Sequence, residues 1–252
     1  MKKKIISIII FITFFTGFLY AQSSLPNIKL PLLVLKVNFT KDKIGLPPPP
    51  LNKEQVEALN KNPWQSLPIT SYFLGGLGYI TKTRVAKMVK QVNGLTDKPL
   101  LFYWKENFQP QYGPQIYYSI PQQIAKTGLV WKLSFNISKG NFASSGGVLL
   151  WDVGQVIFSG DGIVLWNYDN HSVALARYAP DVPLHIDCII NVEKKTVTVS
   201  VNKKGSITCP WYSPTASYFQ TIRLDGLLPG GYAELGSIAF DNINLVLEKM
   251  KK

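Results

Sequence analysis

Between Leu129 and Ile137 the chain follows a period of two: Leu129, Trp131, Leu133, Phe135 and Ile137 alternate with Val130, Lys132, Ser134 and Asn136. That period puts successive side chains on opposite faces, so the segment reads as a strand with one face in a core. Shorter runs of the same kind follow at 147–153, 155–159, 162–168, 173–178, 184–192, 196–202, 206–211, 219–224 and 235–247, separated by Gly, Asn, Asp and Pro. Upstream, Leu33, Leu35, Val37 and Phe39 share one face of a strand over 32–39. Residues 84–92 fit either period and are read as a strand from their Gly-rich, β-like flanks. Only residues 53–61, just after the rigid stop Pro47–Pro50, make an obvious helix candidate, and it is short. Many short strands at a spacing of about 8–12 residues mean a sandwich or barrel. Without amphipathic helices between the strands, βαβ units are excluded.

The N-terminus obeys a different rule. Lys2, Lys3 and Lys4 precede an apolar run from Ile5 to Tyr20, then the small Ala21 and the polar Gln22-Ser23-Ser24. This is the pattern of a secretory signal peptide. The expected organisation is a signal peptide over 1–21, a tether over 22–31 and a single β-sandwich domain over 32–252, secreted, periplasmic or on the cell surface, with no stable membrane span after cleavage. Composition narrows the class further. A chain that is 46% hydrophobic and 17% charged is not disordered, and two cysteines allow one disulfide at most.

Residues 184–211 carry the most register information. Ile186, Cys188, Ile190 and Val192 share a face that Val197, Val199 and Val201 must match. A turn over Glu193–Thr196 would pair Val192 with Val197, Ile190 with Val199 and Cys188 with Val201; a second around Lys203–Gly205 would pair Val201 with Ile207. Cys188 and Cys209 would then both face the core, two strands and two residues apart, with Cα atoms about 12 Å from each other, beyond the reach of a disulfide. Two free, buried thiols are expected; export favours oxidation, and a strand after Gly205 that crossed elsewhere would restore the bridge.

The strand–EKKT–strand–NKKG hairpin over this region resembles the long hairpin of concanavalin A-like (laminin-G-type) jelly rolls in secreted bacterial proteins. The ending AFDNINL, Ala239–Leu245, is similar to their closing strand, and Asn38-Phe39-Thr40 with Gly45 and the proline run to their opening one. Galactose-binding-like carbohydrate modules share a similar ending, which leaves that neighbouring fold open. The resemblance implies an all-β, two-sheet antiparallel jelly-roll sandwich with few short helices. It also implies a role for Asp241, which in similar modules contributes to a structural calcium site. The acidic partner usual on the opening strand is absent, since Lys36 and Asn38 occupy that area. The alternative for Asp241 is a hydrogen-bonded turn or a β-bulge at Asp241-Asn242, which would also reconcile the two apolar parities of the closing strand, Ile238 and Phe240 against Ile243, Leu245 and Leu247.

Residues 147–178 are apolar on both faces of their strands, yet only one face can meet an inter-sheet core. Either loops from 53–120, which carry Trp64 and Trp104, cover the second face, or it is a ligand surface. Aromatic rings on a sheet suit sugars, whose C–H faces stack on π faces while polar side chains bond the hydroxyls. The candidate ligand-binding residues are Trp151, Trp166 and Tyr168, with Asp152, Gln155, Asn167 and Arg177 as polar companions. No catalytic residue stands out. Concanavalin A-like glucanases carry Glu-x-Asp-x-x-Glu on one strand, and no such string occurs. Alginate-lyase relatives use a Gln-x-His strand, whereas Gln155-Val156-Ile157 lacks the histidine. The only histidines, His171 and His185, read as surface residues, and there is no P-loop or zinc pattern.

The formal charge is +12, from 27 Lys and Arg against 15 Asp and Glu. Removing residues 1–21 takes three lysines and no acid, leaving 24 against 15, or +9. The lysines are scattered and only Arg84, Arg177 and Arg223 are arginine, unlike the clustered Arg and Lys of nucleic-acid readers. The expected partner is a polysaccharide or glycan, with an acidic glycan or anionic envelope surface fitting the charge. The sequence thus points to an exported, non-enzymatic sandwich that binds glycan or cell-envelope polysaccharide. The alternatives are a polysaccharide lyase or glycoside hydrolase with a non-standard active site, and a structural envelope protein without a small ligand.

Overall fold

A computed structural model describes residues 30–37, 44, 74–75, 84–92, 94–104, 115–119, 128–142, 145–216, 219, 221–226 and 236–250. The leader, most of the tether, Pro47–Pro50, the 53–61 helix and Trp64 lie outside the described residues. Those described contain the strands β1 (Leu32–Val37), β2 (Leu74–Gly75), β3 (Arg84–Met88), β4 (Leu100–Trp104) and β5 (Gln115–Ser119). Then come β6 (Leu129–Lys139), β7 (Gly146–Leu150), β8 (Gly154–Phe158), β9 (Ile163–Tyr168) and β10 (His171–Arg177). The series ends with β11 (Leu184–Asn191), β12 (Thr196–Val201), β13 (Lys204–Pro210), β14 (Thr221–Asp225) and β15 (Gly236–Lys249). Among the described residues no helix is long and apolar enough to cross a membrane.

The strands form two antiparallel sheets. One runs β13-β12-β11-β6-β15-β4-β3, with β1 also paired to β15; the other runs β10-β9-β8-β7-β14-β5-β2. Their inner faces close on one core, to which β6 gives Trp131, Leu133, Phe135 and Ile137 and the opposite sheet gives Val148, Val156, Phe158, Val164, Trp166, Ile222 and Leu224. Phe102 and Phe240 meet edge to face, centroids 5.6 Å apart, an arrangement the ring quadrupoles favour.

β15 is the seam of its sheet. It pairs with β6 along its length, with β4 over Gly236–Phe240 and with β1 over Ile243–Leu247. The change of partner coincides with a bulge between Asp241 and Asn244, where Asn242 takes a left-handed φ of 51°. The bulge brings both apolar parities inward: Ile238 and Phe240 before it, Ile243, Leu245 and Leu247 after it, all in the main core. Ala239, on the opposite face, is covered by a small cluster with Leu95 and Leu101.

The β11–β12–β13 meander has the expected faces but not the expected register. Ile190 pairs with Val197, Cys188 with Val199 and Ile186 with Val201, two residues from the pairing read off the sequence. The cause is the turn. Asn191 Oδ1 accepts a 2.9 Å bond from Lys194 N–H and Lys195 adopts φ 52°, so the strand ends before Val192. The next turn corrects a second expected pair: Val201 faces Lys204 across the left-handed Asn202 and Lys203, and Ile207 faces Val199. Both shifts have the same sense, so Cys188 and Cys209 keep their diagonal offset, and both thiols are free and buried.

Asp241 is 2% exposed. Its Oδ1 accepts from Asn242 N–H at 2.7 Å and its Oδ2 from the Asn242 side-chain amide at 2.8 Å. Burial pushes its carboxyl up to about 6, against the pull of the Asn242 backbone N–H and with a further push from the Asp97 charge. A carboxyl raised above its unfolded value of 3.8 makes the folded state hold more protons between the two. Ionised Asp241 therefore costs stability above pH 6, and the cost fades as pH falls through 6 toward 4. Asp241→Asn is expected to raise the urea midpoint at pH 8, by on the order of 1 kcal/mol in stability, with the advantage gone at pH 4. A variant less stable than the parent at pH 8 contradicts this.

Candidate functional site

Three chain segments converge at one end of the seven-stranded sheet. The first is the β7–β8 connection, Trp151–Val153, a tight hairpin closed by Val153 N–H donating to Leu150 O at 2.9 Å. Asp152 there takes φ 69° and Gly154 φ 149°. The second is the two-residue β9–β10 turn, Asp169-Asn170, both left-handed, the pairing that matches the twist of a hairpin. The third is the stretch after β13. Its Trp211 is buried and donates from Nε1 to Thr196 O at 3.1 Å, while the Lys195 ammonium lies 4.6 Å over its ring and donates to Ala216 O. So anchored, the stretch bonds to the first hairpin through Tyr212 N–H to Val153 O at 2.9 Å and Ser213 N–H to Asp152 O at 3.0 Å.

Between them lies a cavity of about 380 Å³, lined by parts of Leu149–Asp152, Gly154 and Gln155, by Asn167–Asn170 and by Tyr212. Trp151 and Tyr212 are 46% and 55% exposed, unusual for side chains of that size. Tyr168 is backed by His171, stacked at 5.6 Å and 21°, and His171 Nδ1 sits 2.7 Å from Asp169 O. Asn167 Oδ1 accepts from Ser172 at 3.3 Å. The wall thus combines aromatic faces, amides that donate and accept, and the carboxylates of Asp152 and Asp169, the set that hydroxyl-rich rings require.

Five of the seven residues expected from sequence, Trp151, Asp152, Gln155, Asn167 and Tyr168, line this cavity. Trp166 is a correction. It is 0% exposed and belongs to the inter-sheet core, so its ring offers no surface to a ligand. It fits there because Gly154 has no side chain: a Cβ on Gly154 would lie 2.4 Å from the indole Cζ2. Arg177 is a second correction. It is exposed but pairs with Ile163, four residues along β9 from Asn167, about 13 Å away. Tyr212, Asp169 and Asn170 are lining residues that sequence reasoning missed. The Asp-Asn turn carried a hairpin signal, whereas nothing local tied Tyr212 to this end of the sheet. Asp241 lies on the other sheet with both oxygens engaged by Asn242, and no group of three or more His, Cys, Asp or Glu that could hold a metal occurs among the described residues.

No family model matches the sequence, and no curated protein matches it. Solved structures do. The chain is similar to a sialidase, with TM-score 0.55 and 14% identity over 84% of this chain and 18% of that one. It is similar to the endo-1,3-beta-glucanase from Streptomyces sioyaensis, with TM-score 0.51 and 12% identity over 90% of this chain and all of that one. The chain is a jelly-roll β-sandwich. The two-sheet antiparallel fold expected from the strand pattern is the fold observed, and it spans under a fifth of the sialidase's length. At these identities the likeness concerns the fold alone.

Gly154 is where fold and cavity meet. Gly154→Ala is expected to lose about 1–3 kcal/mol, from the overlap with Trp166 and the strain at φ 149°. Gly205→Ala, at φ 59° with open space around it, bears backbone strain only and loses less. Equal denaturant midpoints for the two variants contradict the seating of Trp166 beneath Gly154.

Proposed function

We propose that this protein is an exported carbohydrate-binding β-sandwich that seats a sugar ring in the cavity between Trp151 and Tyr212. The observation that carries the reading is the pair of large aromatic rings held open at the rim of a cavity of about 380 Å³ walled by amides and carboxylates. Exposed rings of this size give up the free energy their burial would yield. Stacking on the C–H face of a sugar recovers it, and Gln155, Asn167 and Asn170 can exchange hydrogen bonds with the hydroxyls in place of water. The cavity falls within the volume range of small-molecule sites. Export rests on the Lys2–Lys4 and Ile5–Tyr20 leader pattern. The concanavalin A-like resemblance of the hairpin and of the Ala239–Leu245 ending supports the same reading.

A second reading, a polysaccharide-cleaving enzyme, is favoured by one feature: two carboxylates, Asp152 and Asp169, line the same cavity. Glycoside hydrolysis needs such a pair flanking the scissile bond. Affinity electrophoresis through gels containing neutral and acidic polysaccharides, with reducing ends and 235-nm absorbance assayed on the same mixtures, separates the readings. Binding without product is expected. Trp151→Ala and Tyr212→Ala should each weaken retardation at least about tenfold, the scale of one lost aromatic platform, with unchanged thermal midpoints. Product release turns the reading to the enzyme, and retardation unaffected in both variants removes the cavity as its cause. No retardation by any glycan favours a structural envelope role.

A further inference from the structure

The charge of the cavity opposes the charge of the chain. The protein carries +12, yet the described residues that line the cavity include two carboxylates, Asp152 and Asp169, and no Lys, Arg or His. The cations described near it are engaged elsewhere. Arg223 stands next to Leu149 in the sheet register, but it is 8% exposed, its Nε lies 2.9 Å from each oxygen of buried Asp225, and its guanidinium rests 5.8 Å over Tyr117. An acidic ligand could recruit it only by breaking its ion pair with buried Asp225, a costly exchange. Lys195 lies over Trp211 and bonds Ala216 O, and Arg177 on β10 pairs with Ile163 at the far end of β9.

Resting on the carbohydrate reading above, we propose that the cavity selects uncharged sugar rings and rejects those bearing a carboxylate or sulfate. In a space of about 380 Å³ a ligand anion cannot keep away from both aspartates. At separations near 6 Å and the dielectric of a protein surface, each like-charge contact weakens binding about tenfold or more. The surface lysines, among them Lys194, Lys203 and Lys204 at the tips of the β11–β13 meander, then form a separate and diffuse attraction for acidic polymers. That attraction is screened by salt and independent of the cavity.

The test uses ligand pairs on one scaffold: lactose against sialyllactose, and manno-oligosaccharides against oligomannuronate, titrated calorimetrically into the mature protein in 0.05 and 0.5 M salt. Expected is binding of a neutral member that Trp151→Ala abolishes and salt leaves alone, with the acidic member at least tenfold weaker. In the double variant Asp152→Asn, Asp169→Asn that gap should shrink to threefold or less. Asn is the apt replacement, because it tolerates the left-handed backbone at both positions, φ 69° and 41°. Acidic members that bind as well as neutral ones, through Trp151, overturn the charge selection and leave the glycan site standing. A gap unchanged in the double variant also overturns it. If no member binds in a Trp151-dependent way, the underlying carbohydrate reading fails instead.

Discussion

Each strand of a two-sheet sandwich can give only one face to the dry interior, and in β8 and β9 that face carries Val156, Phe158, Val164 and Trp166. The choice is enforced by the indole of Trp166, too large to lie in the core unless Gly154 across the sheet has no side chain. Once Trp166 is inside, the opposite parity must face outward. Leu149, Gln155 and Asn167 fall on one row across β7, β8 and β9 and become the floor of the cavity. The surface site is thus a consequence of how the core is filled, and one aromatic residue links the two.

The walls come from parts of the chain that only the fold brings together. Trp211, locked by Thr196 and Lys195, carries Tyr212 to the Trp151 hairpin, and the backbone bonds to Asp152 and Val153 hold it there. Both turns that border the cavity use left-handed residues, Asp152 in one and Asp169 with Asn170 in the other. Short polar side chains are among the few that accept such backbone. The residues that make these turns possible therefore also supply the polar wall, so the hairpin geometry and the two carboxylates of that wall share a cause.

Much of this was legible in the sequence where a strand has one apolar and one polar face. The Leu129–Ile137 alternation became β6 with the expected inward residues, and the Cys188 and Cys209 faces were right. The register of that hairpin was not, because the turn sets it: a side-chain bond from Asn191 and a left-handed Lys195 moved every pair by two. Trp166 was misplaced for a different reason. β9 is apolar on both faces, so parity alone does not say which face is dry. Lys139 ends β6 fully buried, bonded to Asn141 O beside the Tyr178 ring, with desolvation lowering its ammonium to about 8. A lysine at a strand end otherwise reads as solvated. Tyr212 depended on a contact some sixty residues away in the chain from Trp151, which no local pattern encodes.

The central claim, that a ligand is held by these three segments and nowhere else, is most directly tested by amide hydrogen exchange. The full chain would be followed with and without a saturating neutral oligosaccharide. Slowed exchange confined to Trp151–Gln155, Asn167–His171 and Trp211–Ser213 is the predicted outcome. Slowing centred on the eight-stranded sheet, around Asp241 or the β11–β12 hairpin, with these segments unchanged, would contradict it.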